Sequence, residues 1–147
     1  MVIVFGGCAA ADNGPAKAEY VAEADRICAA SIRAVRPLAQ RIQRAQRGAD
    51  PDQVFGEVAD LTRRSAVTAA AGLQRLDALR TPAADRDALK GWIADQRRRQ
   101  SLLTDLGDAF AQRRETTIST LSQRIDALTT KNRAFAAAYG LKTCARA

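Results

Sequence analysis

Apolar residues recur in steps of three and four over four stretches of this chain, with short polar breaks between them. That spacing places them on one face of an α-helix. The first stretch runs from Lys17 to about residue 46 through Tyr20, Ala24, Ile27, Ser31, Val35, Leu38 and Ile42. Pro37 falls inside it and predicts a bend or interruption near residues 33–36, because proline removes a backbone donor. Gly48 ends it.

The second stretch opens at Asp50-Pro51, with Asp50 as N-cap, Pro51 in the first helical position and Gln53 completing a capping-box pattern. Its stripe is Val54, Val58, Leu61, Ser65, Thr68, Gly72, Leu76 and Leu79, with Phe55 beside the first turn. The small residues 69–72 let a neighbouring helix approach closely. Thr81-Pro82 repeats the start signal, and Asp85 and Asp87 follow where the helix dipole favours carboxylates. Leu89, Trp92, Ile93, Gln96, Leu103, Leu106 and Phe110 form the third stripe. The next break is the least marked, since residues 113–116 contain neither Gly nor Pro, yet the apolar phase restarts and Thr116 or Thr117 is placed to cap. The fourth stripe is Ile118, Leu121, Ile125, Leu128, Asn132, Phe135 and Tyr139, after which Gly140 supplies a left-handed cap and Leu141 folds back on the last turn.

Four such segments with short connections can bury their stripes only on one another. The expected fold is therefore all-α, an up-down-up-down antiparallel four-helix bundle over residues 17–147 behind a flexible segment of residues 1–16. In that topology the starts of helices one and three meet the end of helix four, which gathers Tyr20, Trp92, Phe135 and Tyr139. No tandem repeat or second domain is visible, and 147 residues with 47% apolar and 27% charged content suit one hydrophobic core. There is no histidine, which removes Ser-His-Asp and Cys-His catalysis, His-ligated zinc and Glu-x-x-His di-iron sites. No enzyme, metal or cofactor is expected.

The N-terminus points to a compartment. Met1-Val2-Ile3-Val4-Phe5 runs into Gly6-Gly7-Cys8, and the chain then turns polar; an apolar run followed by small residues is the end of an export signal. Five residues are far short of the roughly 20 needed to span a bilayer, so the reading frame is expected to begin upstream. Phe5-Gly6-Gly7-Cys8 resembles the lipobox of bacterial lipoproteins, with Phe5 where an aliphatic residue is usual, which implies acylation of Cys8 and membrane anchoring outside the cytoplasm; without acylation the exported chain is expected to be secreted. Residues 9–16 would then be the tether.

With Cys8 assigned to lipid, Cys28 and Cys144 form an even pair in an exported chain, and the bundle brings their regions to one end, so they are expected to form a disulfide. The stretch from Tyr20 to Cys28, with Ala24-Asp25-Arg26-Ile27-Cys28, and the stretch Tyr139-Gly140-Leu141-Lys142-Thr143-Cys144 resemble a group of small secreted or lipid-anchored helical proteins of high-GC Gram-positive bacteria. Leu76, Leu79 and Pro82 stand where that group has a Leu-x-x-Leu-x-x-Pro motif. The resemblance implies the helical fold and the cysteine pairing, and no activity.

The formal net charge of +7 comes from 23 basic residues, 19 of them arginine. Arg97-Arg98-Arg99 and Arg113-Arg114 are not read as a nucleic-acid patch, because consecutive helical residues point about 100° apart and no aromatic residues interleave them. Arg26, Arg33, Arg44 and Arg47 on helix one are the candidate contacts to an anionic membrane surface. The carboxylate pairs Glu19 with Glu23 and Asp105 with Asp108 have helical spacing but read as solvated faces. Gln96 and Asn132 fall on core stripes, where a polar residue fixes helix register or lines a ligand cavity.

Two function classes follow. One is a non-catalytic cell-envelope binding or interaction module with an unknown envelope partner. The other is a bundle holding a small apolar ligand between its helices, with Tyr20, Trp92, Gln96, Asn132, Phe135 and Tyr139 as the groove. A cavity beside Trp92 and Asn132 favours the second, and a tightly packed core the first.

Overall fold

The computed structural model describes residues 14–147. Cys8, its lipobox-like context and most of the expected tether lie outside the described residues. The chain forms four helices, α1 (Lys17–Ala45), α2 (Pro51–Asp77), α3 (Arg86–Ala111) and α4 (Glu115–Tyr139), with short 3-10 turns at Ala83–Asp85 and Cys144–Arg146. They run up-down-up-down, each helix packed on its neighbours in sequence. The first helix begins at Lys17.

Several boundaries are set by local chemistry. Asp50 caps α2 by accepting the Asp52 N–H at 3.0 Å, with Pro51 in the first turn. Gly140, at φ +102°, ends α4, and the Leu141 N–H returns to the Ala136 carbonyl at 2.8 Å. Pro37 does not interrupt α1, which is continuous through it. Pro37 and Arg33 are both exposed, so the carbonyl that loses its donor there faces water rather than the core. The break between α3 and α4 is made by Arg113 at φ +53°, and α4 starts at Glu115 with no side-chain cap from Thr116 or Thr117. Helix three starts later than Thr81-Pro82 suggests, because the 3-10 turn comes first.

The core divides along the bundle. At one end Tyr20, Ala24, Ile27 and Cys28 of α1 meet Leu76 of α2, Leu89, Trp92 and Ile93 of α3, Ala136 of α4, and Leu141 and Cys144 of the tail. At the other end there are two separate clusters: Leu102, Ala109, Leu121 and Ile125 join α3 to α4, and Ala45, Val58 and Leu61 join α1 to α2. Gly72 lets α1 and α2 approach, since a Cβ there would stand 2.9 Å from the Ser31 Cβ.

The ring of four helices is not closed by α1 against α4. No Cα of one lies within 8 Å of a Cα of the other. The tail after α4 fills that seam near the disulfide, where Leu141 and Cys144 are buried. Farther along, between residues 29 and 44, α1 has no buried residue, and Ile32, Val35, Leu38 and Ile42 are only half-buried.

Candidate binding site

Antiparallel packing brings four aromatic residues together, as the stripes imply. Trp92 and Phe135 stack with ring centroids 5.8 Å apart, Phe135 and Tyr139 stack at 5.9 Å, and Tyr20 meets Tyr139 edge-on at 6.1 Å. The Tyr139 hydroxyl donates to Asp85 at 2.7 Å, and Lys17 stands over its ring at 4.1 Å. Loss of solvent at the ring, then the bond to Asp85 and the negative charge there, push the Tyr139 pKa well up; burial alone raises that of Tyr20.

Beside this ladder lies a hollow of about 350 Å³ between α3 and α4, lined by Trp92, Asn132 and Phe135 and bordered by exposed Ala88 and Gly91 and by the Lys131 to Asp95 ion pair. It opens on the outer seam of the two helices, not on the interior of the bundle. The Trp92 indole N–H and both amide atoms of Asn132 are buried without hydrogen-bond partners and present almost no accessible surface to it. Gln96 and Asn132 share a crevice with Arg99 and Cys144 that is too small for a water molecule. Of the six candidate groove residues only Trp92, Asn132 and Phe135 line the hollow, through their carbon atoms rather than buried polar ones, while Tyr20, Gln96 and Tyr139 lie outside it.

The predicted disulfide joins Cys28 to Cys144 with Cα atoms 5.2 Å apart. Leu141 packs in the same cluster as Tyr20, Ala24 and Ile27. Asp25, which the sequence marks as a member of the Ala24-Asp25-Arg26-Ile27-Cys28 motif but without a role, accepts the N–H groups of Thr143 at 2.8 Å and Cys144 at 3.0 Å. Its signal was its place three residues before Cys28.

A second concavity, unforeseen by the stripes, follows from the open seam. It is a groove of about 420 Å³ beside the second half of α1, walled by Ile32, Val35, Ala39 and Ile42, with Ala69 of α2 and Leu103 of α3 behind them. Its charged residues are Arg36, Arg99 and Arg146, and no acidic residue lines it. The half-buried Arg99 donates one hydrogen bond, to Thr129 Oγ1 at 2.9 Å. Burial first, then the like charge of Arg133, hold its guanidinium below the ordinary arginine pKa.

Of the candidate membrane contacts, Arg26, Arg33 and Arg44 recur at intervals of seven and eleven residues, which puts them on one exposed stripe of α1. Arg26 is paired with Glu23, and that pairing holds the Glu23 carboxyl below its ordinary pKa. Arg47 is exposed in the turn after α1, not on the helix. The carboxylate pairs are separately engaged: Glu19 accepts the Ala16 N–H at 3.3 Å, and Asp108 binds Arg63 of α2 at 2.7 Å. Among the described residues no group of three or more His, Cys, Asp or Glu side chains is placed to hold a metal ion, and no helix is long and apolar enough to cross a membrane. Comparison of the chain with protein-family models, with curated proteins and with solved structures finds no match in any of the three.

Proposed function

We propose that this chain is a non-catalytic binding module of the cell envelope, exported and held to the outer face of the membrane by acylated Cys8. The observation that supports export is the Cys28 to Cys144 disulfide, a bond that persists in oxidising compartments and is rare in the cytosol. The resemblance of the segments around these cysteines to small secreted or lipid-anchored proteins agrees with it. In this reading the exposed arginine stripe of α1, with Arg47 beyond it, faces anionic headgroups.

Two measurements test the reading. Mass spectrometry of the mature protein should find an N-terminal diacylglyceryl-modified Cys8, and an unmodified Cys8 still joined to Phe5 would remove the anchor. Unacylated chain should co-sediment with anionic vesicles at low salt and release as salt rises, because exposed charges are screened over about 8 Å at physiological ionic strength. Equal sedimentation with neutral vesicles would show that the arginines only solvate the surface.

A second reading is favoured by the two concavities: the bundle carries a small ligand with an apolar part. The hollow beside Trp92 and Asn132 is present, as that reading requires, but its polar atoms are sealed. The groove along α1 is the better receptacle, since apolar side chains that helix packing would ordinarily cover are left half-exposed there.

A further inference from the structure

We propose that the groove along α1 binds a single-chain amphiphile with an anionic head, a long-chain carboxylate, whose acyl chain lies on Ile32, Val35, Ala39 and Ile42 while its head pairs with Arg99 on the floor and with Arg36 and Arg146 at the rim. This rests on the small-ligand reading above and gives it a chemical class.

Three observations carry it. The volume of about 420 Å³ falls within the roughly 300–1,000 Å³ of small-ligand sites. The lining joins an aliphatic wall to three arginines and no acidic side chain, a charge complement for an anionic head that a cationic one lacks. Arg99 then sets the position of the head. A guanidinium has five N–H donors, and here it makes one bond to a neutral hydroxyl, with no ion pair to any described residue. A partly desolvated cation left so is costly unless an anion completes it. Arg36 and Arg146 are likewise exposed and form no ion pair with described residues. A carboxylate accepts two parallel bonds from such a fork.

Isothermal titration of the full disulfide-bonded chain tests this with dodecanoate, dodecyltrimethylammonium and dodecyl maltoside, each below its micelle concentration. Dodecanoate should bind one to one, at least tenfold tighter than the other two. From octanoate to dodecanoate the affinity should rise roughly fourfold per methylene. Arg99→Gln should weaken dodecanoate at least tenfold and leave the maltoside unchanged. Ala39→Trp, at an exposed position where the larger side chain fills the groove without entering the core, should remove binding of every probe while far-ultraviolet circular dichroism stays the same. Equal affinity for the three headgroups would overturn the anionic assignment and leave the small-ligand reading standing. Absence of binding by any probe would overturn both. Binding that survives Ala39→Trp, or a concentration-dependent dimer that Ala39→Trp abolishes, would overturn the groove as the carboxylate's seat.

Discussion

Asp25 and Cys144 are joined by a hydrogen bond that runs beside the disulfide: the carboxylate on α1 accepts the Cys144 N–H at 3.0 Å and the neighbouring Thr143 N–H at 2.8 Å. One side chain therefore satisfies the first donors of the 3-10 turn that carries Cys144, and it does so one helical turn from Cys28. The tail is fixed in place by two independent means, one covalent and one electrostatic.

Asp25→Ala should cost about 2 kcal/mol, the range for hydrogen bonds to a charged acceptor whose partners are then left partly buried. Asp25→Asn, which keeps an acceptor oxygen, should cost about half as much. Urea unfolding of oxidised and reduced protein reads both losses. If Asp25 acts on the tail itself, the loss persists after reduction; a loss confined to the oxidised form would mean that it only eases disulfide formation.

The double variant Cys28→Ala with Cys144→Ala frees a cross-link between residues 116 apart in sequence, worth up to about 5 kcal/mol in the chain-entropy account and on the order of 15 °C in Tm for a domain of this size. The four helices should remain, because Ala24, Ile27 and Leu141 still pack. Thermal melts followed by circular dichroism check this; an unchanged Tm would show that the packed tail alone closes the seam.

Much of this arrangement was legible in the sequence, and the gaps have physical causes. Periodicity identifies which face of a helix is apolar, but not whether that face is covered. Tyr20 and Ile27 carry the same signal as Val35 and Ile42, yet the first two are buried and the last two are half-exposed. The open seam between α1 and α4, and with it the groove, arises from tertiary placement that no local spacing encodes. Arg113 is invisible for another reason: a positive φ is usually announced by Gly or Asn, and here an arginine adopts it beside its ion pair with Asp52. The aromatic end was legible because antiparallel topology fixes which helix ends meet. The α1 groove was not, and its central cation, Arg99, looked like one member of a solvated arginine run.

Asn132 gives a third prediction. Its side chain is 4% exposed and both amide atoms lack partners, so it bears a desolvation cost of about 1–3 kcal/mol. Asn132→Leu, close in volume and apolar, should raise stability by about 1 kcal/mol or more, seen as a higher urea midpoint at unchanged slope. A lower midpoint would show that the amide fixes the register of α4 on α3, the other role open to a polar residue on a core stripe.

The tyrosines predict an alkaline limit. Tyr139 and Tyr20 both have folded-state pKa values raised above the ordinary value, so the unfolded chain gives up their protons first as pH rises. Their stabilising contribution is whole below the unfolded pKa of about 10 and is lost progressively above it. Denaturant midpoints measured upward from pH 8 should be level and then fall beyond about pH 10. Tyr139→Phe, which has no proton to lose, should make that fall shallower; an unchanged slope would assign it to Tyr20.

Two glycines inside α2 should respond to alanine in opposite directions, because the same substitution acts through backbone entropy at one and through packing at the other. At Gly56 a new Cβ meets nothing within 4 Å, so Gly56→Ala should gain the helix-propensity difference of roughly 0.5–1 kcal/mol. At Gly72 a Cβ would stand 2.8 Å from Ser31 Oγ and 2.9 Å from Ser31 Cβ, and rotating the hydroxyl away relieves only the first contact. Gly72→Ala must therefore push α1 from α2, an overpacking cost of about 1–3 kcal/mol that exceeds the propensity gain. The helices flank the α1 groove, so that displacement should also alter the binding of dodecanoate where Gly56→Ala does not. Paired denaturation curves decide it: stabilisation by both variants would mean that the two helices slide apart freely at Ser31, and that the groove they border is not held to a fixed width.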